Sequence, residues 1–249
     1  EPPAEFVYDP AEKLVPSELL PGKLSYDADV ASGKNDAVAA GQNAQGDSLW
    51  YAWLEFAPGK GDTVWVGRRE AGAWSARVQV TDTQGSYAAP TLTFDAVGQL
   101  WLSYEAEHDD QWDVFAVALG KDGEPAGPAE RVSPGQGADI RHAVAADPKG
   151  GLWFVWQHDR DGQFDIVARR FTGQAWEEPQ AVSTNPAGDW HPQAAVDSQG
   201  NLFVAWDGFD GESYNVYARS LRGKSWSPVW IVADQPSFEG RADLAIDGQ

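Results

Sequence analysis

The chain of 249 residues contains no cysteine, so disulfides, thiolate metal sites and a cysteine nucleophile are all excluded. It has no run of eighteen apolar residues, and no helical membrane span is expected. Basic residues are scarce, 18 Lys and Arg against 38 Asp and Glu, for a formal charge of −20. Such a field repels phosphate backbones and anionic lipid surfaces, which sets aside nucleic acid and direct membrane insertion and keeps an acidic surface dispersed. Histidine occurs four times, at His108, His142, His158 and His191, never at the spacing of a helical metal pair. No Gly-rich phosphate loop and no Ser nucleophile elbow is found. The first residues, Glu-Pro-Pro, lack an initiator methionine and an apolar signal, which fits a mature protein exported to the extracellular space or periplasm.

What the chain does have is a phrase that returns. Leu49-Trp50 to Trp53, Leu100-Trp101 to Tyr104, Leu152-Trp153 to Trp156 and Leu202-Phe203 to Trp206 each follow a glycine, and their anchors lie 51, 52 and 50 residues apart. A fixed period of this size marks a repeat array. Asp95, Asp147, Asp197 and Asp247 each stand 15 residues after a valine, namely Val80, Val132, Val182 and Val232. Each unit therefore holds four apolar segments separated by turn residues: one ending at the Asp, the Leu-Trp segment, a third such as Asp165 to Arg170, and a last one ending at the Val.

In the Leu-Trp segment, Leu152, Phe154 and Trp156 share one face while Trp153 and Val155 share the other, so both sides require cover. Sheets stacked face against face around an axis supply it. The expected fold is all-β, a β-propeller of four-stranded blades, with most of the thirteen tryptophans in the core.

Repeats over approximately 31–80, 81–132, 133–182 and 183–232 predict a single domain over 1–249. The ends predict a further blade shared by residues 1–30 and 233–249. Gly22 to Val30 matches Gly72 to Val80 as an outermost strand, Leu244 to Asp247 reads as an innermost one, and Glu5 to Tyr8 and Lys13 to Val15 supply the middle. This closure gives five blades; the alternative is a segment of a longer propeller.

The segments Phe164 to Arg170 with Gly173 and Trp176, and Tyr214 to Ser220 with Gly223 and Trp226, resemble the repeats of sialidase-like bacterial β-propellers of the Asp-box (BNR) type. Gly and Trp keep the positions of that box, also at Gly72 and Trp74, while its Asp is missing. The resemblance implies the propeller over residues 24–249. The family's Arg-Ile-Pro motif is not present, and the first arginine is Arg68, so sialidase chemistry is not implied.

A finer register locates a site. Eight residues before each Asp anchor stand Tyr87, Asp139, Asp189 and Glu239, and six before it Ala89, Arg141, His191 and Arg241. Residues two apart on a strand point the same way, so neighbouring blades should present an acid beside a base at the channel mouth. Trp190 and His142 lie alongside. One reading is a polar pocket built from Asp139, Arg141, His142, Asp189, Trp190, His191, Glu239 and Arg241, with guanidinium forks for orientation and Trp190 as a stacking platform. The other is a ring of blade-to-blade ion pairs that holds register and binds nothing. His142 and His191 with Asp139 and Asp189 offer a transition-metal alternative, and Asp159, Asp161 and Asp165, around a glycine, are calcium candidates without the terminal Glu of an EF-hand loop. No cofactor is expected otherwise.

These observations predict a non-catalytic binding module of an exported bacterial protein that recognises a glycan or a protein partner at the channel mouth. The alternative is a carbohydrate-active enzyme, a glycoside hydrolase or lyase, using carboxylates at the same rim. A third reading is a structural subunit whose ring a partner chain completes or covers.

Overall fold

The computed structural model describes residues 38–42, 48–70, 73–235 and 238–247. The strands proposed for residues 5–8, 13–15 and 24–30, and the turn glycine Gly72, lie outside this set. The described chain is all strand and turn, and no helix in it is long and apolar enough to cross a membrane.

Each repeat makes one antiparallel sheet, in sequence order from inner to outer strand, and in the first and fourth blades two short segments share the outermost place, both paired to the third strand. The first blade holds β1 (Val38–Gln42), β2 (Ser48–Ala57), β3 (Gly61–Glu70), β4 (Ala73–Trp74) and β5 (Val78–Gln79). The second holds β6 (Tyr87–Phe94), β7 (Leu100–His108), β8 (Gln111–Leu119) and β9 (Glu130–Arg131). The third holds β10 (Asp139–Ala146), β11 (Leu152–Arg160), β12 (Gln163–Phe171) and β13 (Gln180–Ala181). The fourth holds β14 (Asp189–Val196), β15 (Leu202–Phe209), β16 (Tyr214–Arg222), β17 (Ser225–Trp226) and β18 (Trp230–Ala233). The inner strands β1, β6, β10 and β14 neighbour one another in that order. The propeller of four-stranded blades read from the sequence is therefore the fold.

Two-sided burial of the Leu-Trp strand follows from this stacking. Leu152, Phe154 and Trp156 pack back onto Val114, Ala116 and Val132 of the second blade. Trp153 and Val155 pack forward with Val182 onto Leu202, Val204 and Trp206 of the fourth. The anchors Trp50 and Trp153 are 5% exposed and the closing Trp156 and Trp206 2%, whereas Trp74 and Trp230 on outer strands are about half exposed. Arginine clips reinforce the stack: Arg169 Nη1 donates to the Val132 carbonyl of the preceding blade at 2.7 Å, and Arg219 Nη1 to Val182 at 2.8 Å.

The inner strands are bulged. Pairing slips between Ala88 and Thr91, between Ile140 and Ala143, and between Trp190 and Gln193. At each slip one residue adopts a left-handed backbone: Ala89 (φ 47°), Arg141 (φ 56°) and His191 (φ 51°). Arg241, the next in register, has φ 61°. Leu244 to Asp247, expected as an innermost strand, forms no ladder among the described residues. The middle strands expected at residues 5–8 and 13–15 to pair with it lie outside the described residues.

Candidate functional site at the bulged mouth

Inner strands begin, and second strands end, on one face, as the pairings Asp139 with His158 and Asp189 with Gly208 show. The acids of the predicted register open the inner strands there, yet they do not face a ligand. Asp139 is 1% exposed and its Oδ1 accepts from Trp156 Nε1 at 2.7 Å and meets His158 Nδ1 at 2.7 Å. The hydrogen bond with Asp139 raises the His158 pKa above its ordinary value. Asp189 is fully buried, and its Oδ1 accepts from Trp206 Nε1 and Asn185 Nδ2. Both acids latch an inner strand to the tryptophan closing the Leu-Trp phrase of the same blade. In the second blade Tyr87 and Tyr104 replace the pair with an edge-on ring contact at 5.7 Å.

The bases go elsewhere, because the bulge breaks the strand alternation on which an acid-beside-base arrangement rests. Arg141 and Arg241 are exposed, and neither has an ion-pair partner among the described residues. His191 is half-buried, and its Nδ1 lies 3.1 Å from Asp207 Oδ2. Matched ion pairs between Asp139 and Arg141, or Asp189 and His191, do not form. A bulge frees backbone N–H groups from the ladder, and the preceding blade takes them up. Glu105 Oε1 receives His142 N–H at 3.1 Å, Gln157 Oε1 receives His191 N–H at 2.8 Å, and Asp207 Oδ1 receives Arg241 N–H at 2.8 Å.

Glu105, Gln157 and Asp207, each four residues after its anchor at Trp101, Trp153 or Phe203, are thus the residues the sequence register missed as a set. Pro90 and Pro192, directly after Ala89 and His191, were the available signal, since proline inside a strand marks an edge or a bulge.

His142 is enclosed. Its Nε2 lies 2.8 Å from Ser103 Oγ and its Nδ1 3.1 Å from Glu105 Oε1. This Ser-His-Glu line has the connectivity of an acyl-transfer triad. The His142 side chain is 0% exposed and Ser103 3%, so no substrate carbonyl can reach the hydroxyl, and the line ties the second blade to the third. Trp190 leans on Tyr214 at 5.4 Å and over Gly188, where a Cβ would stand 2.3 Å from the indole ring. Tyr214 in turn meets Phe209 and Phe238. Glu239 Oε2 accepts from Gln235 N–H, and its own N–H donates to the Tyr214 carbonyl.

The calcium candidates do not converge. Asp159 Oδ1 receives Gly162 N–H in the hairpin turn, Asp161 supplies that turn's left-handed residue, and Asp165 is paired with Arg160 at 2.7 Å. Among the described residues no three acids or histidines come together around a point.

At this face, then, two guanidiniums without an ion-pair partner among the described residues, a half-buried imidazole and a half-buried indole stand beside Asp139, Asp189, Asp207 and Glu105, whose carboxylates are engaged within the fold. Such a set donates hydrogen bonds and offers ring surface.

No family model and no curated protein matches the sequence. Solved structures do match by fold. An endo-arabinase from Bacteroides thetaiotaomicron superposes with a TM-score of 0.52 at 15% identity, covering 78% of each chain. A protein of unknown function from Dyadobacter fermentans gives 0.55 at 12% identity, over 74% of this chain and 60% of that one. The xyloglucan PUL GH43B protein of Bacteroides ovatus gives 0.51 at 13% identity, over 84% of this chain and 44% of that one. This chain thus spans less than two thirds of the second and third. The propeller likeness expected from the sequence holds at the level of the fold. The finer likeness to sialidase-type repeats is not what these structures share with the chain.

Proposed function

We propose that this propeller engages carbohydrate at its bulged mouth, in an extracellular or periplasmic setting. The observation that carries the reading is the repeated left-handed backbone at Arg141, His191 and Arg241, which sets three cationic or hydrogen-bonding side chains at equivalent register positions, the first two on the adjoining inner strands β10 and β14. Saccharide hydroxyls are acceptors for such donors, and Trp190 beside His191 offers ring surface for a sugar's C–H face. The fold likeness to proteins named for arabinan and xyloglucan supports the same substrate class.

Glycoside cleavage is the second reading, and the name of the endo-arabinase favours it over binding alone. Cleavage requires two carboxyl groups flanking the scissile bond. Asp139 and Asp189 do not supply an open pair, so the acids of an active enzyme are others.

The test is titration of arabino-oligosaccharides and xyloglucan oligosaccharides by calorimetry, with release of reducing ends measured in parallel. Binding that weakens at least tenfold in Arg141→Ala and Arg241→Ala supports the mouth as the site. Release of reducing ends at a rate proportional to protein selects the enzyme. Unchanged binding in both variants removes the mouth from consideration.

A further inference from the structure

On the opposite end of the blades, where inner strands end and third strands turn back, a cleft of about 610 Å³ opens between the third and fourth blades. It is about 25–30 Å from the mouth, the length of the nine-residue strand Leu152–Arg160. Its volume is within the range of small-molecule sites. Its wall includes Lys149, Trp153, Arg170, Glu177, Glu178 and Lys224.

One departure from the repeat marks this cleft. In the second blade the anchor indole is satisfied: Trp101 Nε1 donates to Asp95 Oδ2 at 3.2 Å. In the third blade the corresponding acid, Asp147, is diverted. Across the sheet from Trp101 stands Ala118, but across from Trp153 stands Arg170, whose Nη2 takes Asp147 Oδ2 at 2.6 Å. The other carboxylate oxygen, Oδ1, receives Lys149 N–H. Trp153, 5% exposed, is therefore left with an indole N–H that has no acceptor, and Arg170 Nε is likewise buried without one. In the fourth blade the anchor is Phe203, and the question does not arise. A buried donor without a partner costs about 1–3 kcal/mol, and a ligand or bridging water that accepts from it removes that cost.

The remaining wall states the ligand's chemistry. Lys149 and Lys224 are exposed ammoniums without an ion-pair partner among the described residues, Glu178 is an exposed carboxylate, and Glu177 is an exposed carboxylate 3.5 Å from Arg170 Nη1. Donors and acceptors are both present, and the formal charges of Lys149, Arg170 and Lys224 balance those of Asp147, Glu177 and Glu178. A ligand that both accepts and donates, and carries no net charge, matches such a wall. A polyanion does not, since the chain as a whole carries −20.

We propose that this inter-blade cleft is a second carbohydrate site, taking a short neutral oligosaccharide through hydrogen bonds from Trp153, Arg170, Lys149 and Lys224 and to Glu177 and Glu178. It rests on the reading of the chain as a carbohydrate-engaging propeller, and adds a site remote from the mouth.

The experiment is calorimetry and NMR titration with arabino-oligosaccharides and xyloglucan oligosaccharides on the full chain, on the cleft double variant Lys149→Ala/Lys224→Ala, and on the mouth double variant Arg141→Ala/Arg241→Ala. All four substituted residues are exposed, so folding is retained and is checked by circular dichroism. The expected result is two sites per chain. The cleft variant should lose one of them, with affinity there falling at least tenfold, and the mouth variant should lose the other. Trp153→Phe, which removes the indole N–H with part of the ring and copies the Phe203 of the fourth blade, should weaken the cleft site and leave the mouth site unchanged. Affinity should change less than twofold between 20 and 200 mM salt, as for an uncharged ligand. Sugar binding abolished by the mouth variant and untouched by the cleft variant overturns the second site while leaving the function standing. Binding lost only in the cleft variant does the reverse. Oligogalacturonate binding at the cleft in place of the neutral sugars, or no sugar binding at all, also overturns the proposal.

Discussion

The indole N–H of Trp206 donates to Oδ1 of Asp189 at 3.0 Å, while Oδ2 of that carboxylate is buried with no partner. Burial pushes the Asp189 pKa up to about 6, the charge of Asp165 adds to it, and donors from Ser183, Trp206 and Asn185 pull the other way without prevailing. A carboxyl group favoured in its neutral form inside the fold is a device for ordering a strand start, and it leaves a pH signature.

The signature has a definite sign. The folded protein holds the Asp189 proton more tightly than the unfolded chain, whose ordinary value is 3.8, so this group's contribution to stability falls as pH rises from about 4 to about 6 and stays low above that. Asp189→Asn cannot ionise. The stability difference, variant minus wild type, should shift in the variant's favour by about 3 kcal/mol across that window, as two pKa units imply. Urea denaturation at pH 4, 5, 6 and 7 measures it. A difference independent of pH means that Asp189 is ionised in the folded state at ordinary cost.

His158 should titrate above its ordinary 6.5, because Asp139 accepts from its ring nitrogen. Its contribution is fully present below pH 6.5 and is lost as pH rises through the folded value. In an NMR titration Asp139→Asn should bring the His158 midpoint down. A His158 midpoint unchanged in the variant excludes the Asp139 bond as the cause.

The arginine clips between blades should carry measurable stability. Arg219 donates Nη1 to Val182 and Nε to Ser227 of its own blade, with its guanidinium 5.2 Å over the Trp226 ring. Arg169 repeats the pattern toward Val132, Glu177 and Trp176. Arg219→Ala leaves the Val182 carbonyl without this donor, and about 2–3 kcal/mol is expected to be lost. Arg219→Lys should restore little, since a single ammonium cannot span both carbonyls and stack on the ring. Full rescue by lysine in urea denaturation assigns the effect to charge alone.

The propeller was legible because its cause is periodic: Leu152, Phe154 and Trp156 on one side and Trp153 and Val155 on the other demand two packed neighbours, and the chain repeats that demand every fifty residues or so. The register of the candidate residues was legible in position and not in orientation. Asp139, Arg141, Asp189 and His191 do gather where inner strands begin, but one extra residue per strand turns the acids inward and the bases outward. Hydrophobic alternation carries no mark of that residue. Pro90 and Pro192 carry one in the second and fourth blades, while in the third His142 keeps an N–H there and gives it to Glu105. The cleft was not legible at all, because it arises from a pairing across strands, Arg170 opposite Trp153, that neighbouring residues in the sequence do not reveal.

The bulge itself can be tested apart from the site it aims. Ala89 holds φ 47° without a ring nitrogen or a charge to repay the conformation, unlike His191 with Asp207. A left-handed backbone costs an L-residue about 1–2 kcal/mol, and glycine escapes it. Glycine also loosens the unfolded chain, which returns about 0.4–1 kcal/mol. Ala89→Gly should therefore stabilise the fold by up to about 1 kcal/mol, Ala89→Asn should come close to neutral, and Ala89→Val should destabilise it by 2 kcal/mol or about that, because a β-branched side chain fits the left-handed region worst. His191→Gly gains the same backbone relief but forfeits the imidazole bond to Asp207, so its net effect should be smaller or of opposite sign. Guanidinium denaturation of the four variants gives the ranking. If Ala89→Gly destabilises and Ala89→Val does not, the inner strand of the second blade runs straight, and the shared left-handed turn that places Arg141, His191 and Arg241 loses its support.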